Sequence, residues 1–486
     1  MKKLVLTIGL AALSSMAFAQ SAFDAIRLSQ TNPVLGTARY SGMAGAFSAL
    51  GGNPSAIKDN PAALGVYRSM DFTFTPSVVI NNDGNANAAL DNFAFVINFG
   101  DKKRKHGYVT SSLGINYNRL NNITRYSRGK KTAIPYSVTD YFYDYASDNV
   151  YSFAQELELL YLPGEDPTYP DGGSSKFGGN RIMRDYKFVE KGHVGQWDIA
   201  YGLNISNLVY IGAALGINTL EYKQTTMYNE QNPDSPVYDH WYLDNQYWAE
   251  GHGVNFRIGA IVRPIDEVRV GMSIETPTRY HMREWYRTEL GSDYDRNRSQ
   301  RVDDYGGEDQ LYTLRTPLRF KTGVGFVIGK KAMIDLDYQY ENYKKIRMSI
   351  DDIELDSEAD LLDKWMNKTH TLKVGAEMQV TDGFFVRLGA ACVSKPMQNL
   401  TSEEAKYANM ESLPLLRPLS IPQNSFYGTG GVGYKGEHFY CDMAYVLQNQ
   451  KEYVYPNLPT SLYPRETPVK ENVKTHNIIA TFGWRF

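Results

Sequence analysis

The sequence predicts an all-β fold: a transmembrane antiparallel β-barrel of about fourteen strands, with a small N-terminal helical hatch as a plug inside it. Three observations predict it. Segment after segment alternates apolar with polar residues, short turns alternate with long polar connections, and a short apolar leader stands at the N-terminus. The composition agrees. The 486 residues include 36 Tyr and 41 Gly, types that populate interfacial girdles and tightly curved sheets.

Residues 1–19 read as a signal peptide. Met1, Lys2 and Lys3 are followed by an apolar run from Leu4 to about Met16, and Ala17-Phe18-Ala19 supplies a small-x-small cleavage site before Gln20. No later stretch approaches the roughly 18 apolar residues of a membrane helix, and the mean hydropathy is −0.43. A net charge of −3 and a pI near 6.3 give no basis for nucleic-acid binding. Two cysteines, Cys392 and Cys441, are too few for a disulfide scaffold.

Residues 20–68 form the hatch. They are rich in Ala, Gly and Ser and lack long alternation. Ser21–Leu28 predicts a short helix. Asn53-Pro54 and Asn60-Pro61 each predict an N-cap followed by proline in the first turn, the second ending at Gly65. Such short pieces need a surface to pack on.

Residues 69–486 form the barrel, with strands expected at 72–80, 92–100, 106–120, 196–206, 207–228, 251–264, 267–288, 310–328, 332–349, 369–380, 383–395, 424–435, 437–450 and 473–486. The even count puts both termini on the periplasmic side of an outer membrane. In the last strand Ile478, Ala480, Phe482, Trp484 and Phe486 alternate with Asn477, Thr481, Gly483 and Arg485. In the tenth, Leu372, Val374, Ala376 and Met378 alternate with Lys373, Gly375, Glu377 and Gln379. A charge facing lipid at mid-membrane costs about 2–4 kcal/mol, so the charged face points to the lumen. That face carries Asp198, Arg257, Arg269, Glu275, Arg319, Lys321, Asp335, Asp337, Lys373, Glu377, Arg387, Asp442 and Arg485. Both signs occur on neighbouring strands. A ladder of pairs that holds the hatch is the favoured reading; a carboxylate-binding pocket built on Arg or Lys is the other.

No catalytic constellation, metal site or cofactor site is predicted. The eight histidines are scattered, and neither HExxH nor a P-loop is present. The run Gly428–Gly433 fits GxGxxG, but a strand follows it instead of a helix, so it predicts a slim strand approached closely by the plug. Gly212 with Gly216 and Gly323 with Gly325 predict a narrow lumen wall. An aromatic cluster at 141–153 is either a landing site for an apolar ligand or a loop core, and 351–365 predicts a short amphipathic helix.

Asn60-Pro61-Ala62 lies within ARYSGMAGAFSALGGNPSAIKDNPAALG, residues 38–65. This segment resembles the hatch of FadL/TodX-type outer-membrane transporters for long-chain fatty acids and aromatic hydrocarbons. The resemblance implies a fourteen-stranded barrel, a hydrophobic ligand taken up passively, and lateral release into the outer-membrane lipid at a kinked third strand. Gly114 is the candidate kink. The terminal Phe486 resembles the signal read by the barrel assembly machinery. A structural or adhesive barrel that binds a partner through its loops is the alternative. A lipid enzyme lacks a visible nucleophile and base, and a general porin has no use for a plug.

Overall fold

The computed structural model describes residues 22–486 except 101–103, 105, 135–136, 140–153, 156, 162–163, 166–174, 178–180, 234–237, 295–297, 307–309, 330, 401–418 and 456–468. The proposed leader and the whole aromatic cluster at 141–153 lie outside the described residues.

A closed antiparallel barrel of fourteen strands surrounds the N-terminal segment. The first three strands are Asp71–Ile80, Ala86–Gly100, and Tyr108–Asn122 continued by Arg125–Ile134. The next three are Ile182–Ile205, Val209–Gln231 and Tyr238–Ile265. The seventh joins Val268–Glu275 to Arg279–Tyr294, and the eighth joins Arg298–Gly306, Gln310–Arg315 and Arg319–Ile328. The ninth joins Ala332–Asn342 to Arg347–Ile350. Lys368–Thr381, Phe384–Val393, Leu419–Lys435, Phe439–Tyr455 and Val469–Arg485 complete the set. Asp71 pairs with Arg485 and Ile80 with His476, so the last strand closes on the first.

The alternation has a physical cause. Along the fifth strand Ile211, Leu215 and Ile217 point outward and are exposed, while Ala214, Asn218 and Leu220 point inward and are buried. Similar exposed apolar residues run round the barrel, among them Phe95, Ile258, Met272, Phe326, Leu336, Val374, Leu388, Met443 and Trp484. Several strands extend beyond the expected limits at the ends away from the C-terminus; the fourth begins at Ile182 instead of 196. There Ile182, Tyr186 and Phe188 turn inward, and Asp185 and Lys187 face out. The apolar side has changed face, so the lipid-facing pattern stops before the strand does.

Inside lie the helices Ala22–Ser29 and Ala38–Gly42 and the single 3-10 turns Pro54–Lys58 and Pro61–Val66. Two glycines let the second turn approach the wall. A Cβ at Gly212 would overlap the Pro61 carbonyl, and one at Gly259 would overlap the Asn60 side chain. The helix expected near 351–365 is Asp356–Trp365, with Leu362 and Trp365 buried.

Candidate functional site

The described lumen has three features, two layers and an opening in the wall. The layer nearest the termini holds the plug by charge. Asn60 caps its turn by accepting from Ala62 N at 3.1 Å, and its Nδ2 donates to Ser48 O at 2.9 Å and to Ala260 O of the sixth strand at 3.1 Å. Pro61 and Ala62 follow in the first turn, where proline needs no amide partner. The barrel reaches in around them. Arg257 donates to Ile57 O at 3.0 Å, Arg269 to Leu50 O at 2.6 Å and Lys373 to Gly45 O at 2.8 Å. Asp337 accepts from the amides of Phe47 and Ser48 at 2.9 and 3.0 Å. Lys321 and Lys373 hold Asp59 of the plug at 2.8 and 3.3 Å.

The remaining predicted charges complete chains along the wall. Arg257 joins Asp198 to Glu275 at 3.4 and 3.1 Å, and Arg319 joins Glu275, at 2.8 Å, to Glu341. Glu377 joins Arg39 of the plug, at 2.8 Å, to Arg387 at 2.5 Å, and Arg387 reaches Asp442 at 2.7 Å. Asp335 is fully buried beside the plug at Ala49. Arg485 sits at the rim, 3.5 Å from Asp71 and 4.8 Å above the Tyr440 ring. Charges buried in this way need partners of opposite sign, which all of these have except Asp335, whose carboxylate has no ion-pair partner among the described residues. Three of the four glycines expected to line a passage serve the plug, Gly212 lying against Pro61, Gly323 against Ser48 and Gly325 against Leu50, while Gly216 faces Asn255 and Gln196 of the wall.

This geometry gives a local prediction. Asn60→Ala removes the cap, worth about 0.5–2 kcal/mol, and two further bonds to main-chain carbonyls. The barrel ladders close on themselves without it. The variant is expected to show faster proteolysis within residues 22–68 and an unchanged heat-modifiable barrel band on gels. Loss of the barrel band would show that the plug supports the wall.

The second layer is an apolar chamber filled by the first helix, at the end of the barrel away from the C-terminus. Ala25, Ile26 and Leu28 of the first helix pack there with Leu120, Val194, Leu220, Tyr222, Tyr247, Ala249, Met282, Leu314 and Met348. Leu362 and Trp365 of the Asp356–Trp365 helix belong to the same cluster. Sequence reasoning missed this chamber, although a signal existed. Leu243, Tyr247 and Ala249 continue the lumen-facing parity of Asn255 and Arg257, so the inner face turns from polar to apolar along one strand. A buried charge cluster fixes the helix at this level: Arg27 pairs with Glu190 and lies 3.7 Å from Glu452, and Arg125 meets Glu190 at 3.4 Å and Glu452 at 2.8 Å.

The third feature is a gap in the wall. The ladder between the second and third strands ends at Asn92 and Asn118. Beyond it Ala86–Leu90 pairs only with the first strand, and the third strand shifts register between Arg119 and Asn121. The ladder runs unbroken through Gly114, which pairs with Val96 on one side and Ala200 on the other. Gly114 is therefore not the kink; its missing side chain makes room for Leu64 of the plug. The departure lies five residues on. Asp91, the extra residue of a bulge in the second strand, meets Arg119 at 2.6 Å across the gap, and both are buried. A cavity of about 690 Å³ opens here, lined by Leu90, Tyr117, Arg119, Trp197, Tyr222 and Ala249 among others.

A closed fourteen-strand barrel with an internal N-terminal plug, an apolar inner chamber and a broken second-to-third ladder defines the structural class. Its fold is that of the FadL/TodX-type hydrocarbon channels. The solved structure of a Pseudomonas aeruginosa FadL homologue matches with a TM-score of 0.54 at 12% identity, over 93% of this chain and 98% of that one. The Pseudomonas putida toluene transporter TodX matches at 0.53 and 10% identity, over 93% and 99%. The monoaromatic hydrocarbon channel CymD matches at 0.52 and 11% identity, over 94% and 99%. At these identities the likeness is one of fold. No family model matches the chain, and no curated protein is similar to it.

Proposed function

We propose that this chain is a passive outer-membrane transporter for hydrophobic compounds, long-chain fatty acids or similarly apolar molecules, in a Gram-negative bacterium. The ligand is held in the upper lumen and leaves sideways through the gap beside the third strand. One observation carries the reading: Tyr222 and Ala249 belong both to the apolar chamber and to the lining of the gap cavity. An apolar molecule in the chamber therefore has an apolar neighbour on the way to lipid. The axial route passes the plug and its ion pairs, where desolvating charges opposes an apolar solute. The fold shared with the toluene and monoaromatic channels supports the same class of ligand. Movement is down a concentration gradient, and the protein performs no chemistry on what it carries. Both termini lie on the periplasmic side, and the C-terminal strand ending in Phe486 engages the assembly machinery.

Purified protein in liposomes tests this. Entry of a long-chain fatty acid and of toluene is expected to accelerate over protein-free vesicles, with entry of a small hydrophilic sugar unchanged. Faster sugar entry with no effect on either apolar solute would favour a porin, and no effect on any solute would favour an adhesive barrel.

A further inference from the structure

On the outer face, away from both termini, three arginines stand side by side. Arg315 of the eighth strand pairs directly with Arg279 of the seventh and Arg347 of the ninth. Like charges opposite one another weaken a sheet, so this row requires anionic company. Part of it is internal. Asp352 takes Arg279 at 2.6 Å, and Glu354 takes Arg347 at 2.6 Å with Asp363 at 3.6 Å. Arg315, between them, makes no side-chain hydrogen bond or ion pair with any described residue. Asp352 is 83% exposed, so its pair with Arg279 is weak and exchangeable. The side chains flank a cleft of about 380 Å³ bounded by Pro277, Thr313 and Ser349.

The position of the row gives it meaning. Immediately below it on the same strands, Ile274 and Leu318 are exposed and apolar, followed by Met272, Val324 and Phe326 toward the termini. That run covers most of the roughly 25 Å apolar band of an outer-membrane barrel. The guanidinium row therefore stands at the upper border of the lipid-facing wall. A ligand that suits it carries phosphate at the level of the arginines and acyl chains below. Guanidinium forks match phosphate oxygens in pairs, and a dianion brings more charge to Arg279 than Asp352 does.

We propose that Arg279 and Arg315, with Arg347 at the edge, form a binding site for the phosphate groups of a phosphorylated saccharide lipid of the outer leaflet. The site rests on the outer-membrane placement proposed above and is independent of transport. It fixes the rotation and depth of the barrel on the side where strands seven to nine are interrupted, at 276–278, 316–318 and 343–346.

The test is a binding titration of the detergent-solubilised full chain with diphosphoryl lipid A, with the same lipid stripped of its phosphates, and with inorganic phosphate. Wild type is expected to bind the phosphorylated lipid about tenfold more tightly than the stripped one, as loss of charge-assisted bonds predicts. Arg279→Gln/Arg315→Gln is expected to lose that preference while keeping its heat-modifiable barrel band. Arg128→Gln, which changes an arginine 69% exposed on the third strand, is expected to retain it. Equal binding of both lipids by wild type, or a preference that survives in the double variant, overturns the site. Inorganic phosphate binding as tightly as the lipid overturns the assignment to a lipid. None of these readouts depends on solute uptake, so failure of the site and failure of the transport reading are separable.

Discussion

Joining positions 91 and 119 by a disulfide is expected to reduce uptake of a long-chain fatty acid to the protein-free background, with binding in the chamber retained. Asp91 and Arg119 face each other where the second-to-third ladder has stopped, and their contact at 2.6 Å is the first one beyond Asn92 and Asn118. An apolar molecule leaving at the foot of the gap, beside Leu90, must part them. The pair is nearly inaccessible to water, at 6% and 0% side-chain exposure, so separating it in a low-dielectric wall is costly. The variant is Asp91→Cys/Arg119→Cys in a background with Cys392 and Cys441 changed to Ala, compared in oxidised and reduced forms. Reductant is expected to restore uptake. Uptake unaffected by oxidation, with the cross-link verified by mass, would mean that the ligand leaves elsewhere.

The same pair separates two effects. Arg119→Ala alone leaves a buried carboxylate uncompensated, a change that typically costs about 3–5 kcal/mol, so lower barrel yield is expected from it. Asp91→Leu/Arg119→Met replaces both charges with apolar groups of similar reach, which is often close to neutral for stability. The double variant is therefore expected to assemble normally and to pass apolar solutes faster, since no ion pair opposes them. Slower passage would indicate that the pair guides the ligand out.

The strands were legible because lipid on one side and a polar lumen on the other impose a period of two. Leu372 to Met378 carry that period without interruption, Ile478 to Phe486 break it only at Ile479, which packs inward with Val34 and Ala38 of the plug, and the fourteen strands of the barrel correspond one to one with the fourteen expected. Lumen placement of Arg257, Glu275, Asp337 and Lys373 followed from the same parity, because their neighbours must face lipid. The gap was not legible as placed. Glycine at 114 looked like the weak point, yet a glycine paired on both edges leaves its ladder intact. Arg119 was the better signal. It shares the parity of Leu113, Ile115 and Tyr117 on the lipid-facing side, and a charge there marks a wall that has parted. The chamber was hidden for another reason. Its residues come from the inner faces of many strands, and no one of them contributes a recognisable motif.

Arg27→Ala is expected to vacate the chamber. The helix Ala22–Ser29 has eight residues and no stability of its own. Ordering it costs about 1–2 kcal/mol per residue in backbone entropy. Burial of Ile26 and Leu28 returns about 1.5–3 kcal/mol each, which does not offset that alone. The contacts of Arg27 with Glu190 and Glu452 therefore decide whether the helix stays docked. The barrel loses less, because Arg125 remains within 3.4 Å of Glu190 and 2.8 Å of Glu452 and keeps both carboxylates partnered. The expected result is a released helix in an intact barrel, read as rapid maleimide labelling of a cysteine placed at Ile26. Any ligand of the wild-type chamber competes with this helix, so its apparent affinity is reduced by the fraction of molecules in which the helix has left. A fluorescent fatty-acid analogue should accordingly bind Arg27→Ala more tightly than wild type, by about tenfold if the helix is docked in nine-tenths of wild-type molecules. Weaker binding by the variant, with labelling at position 26 confirming release, would show that Ile26 and Leu28 form part of the ligand's own site.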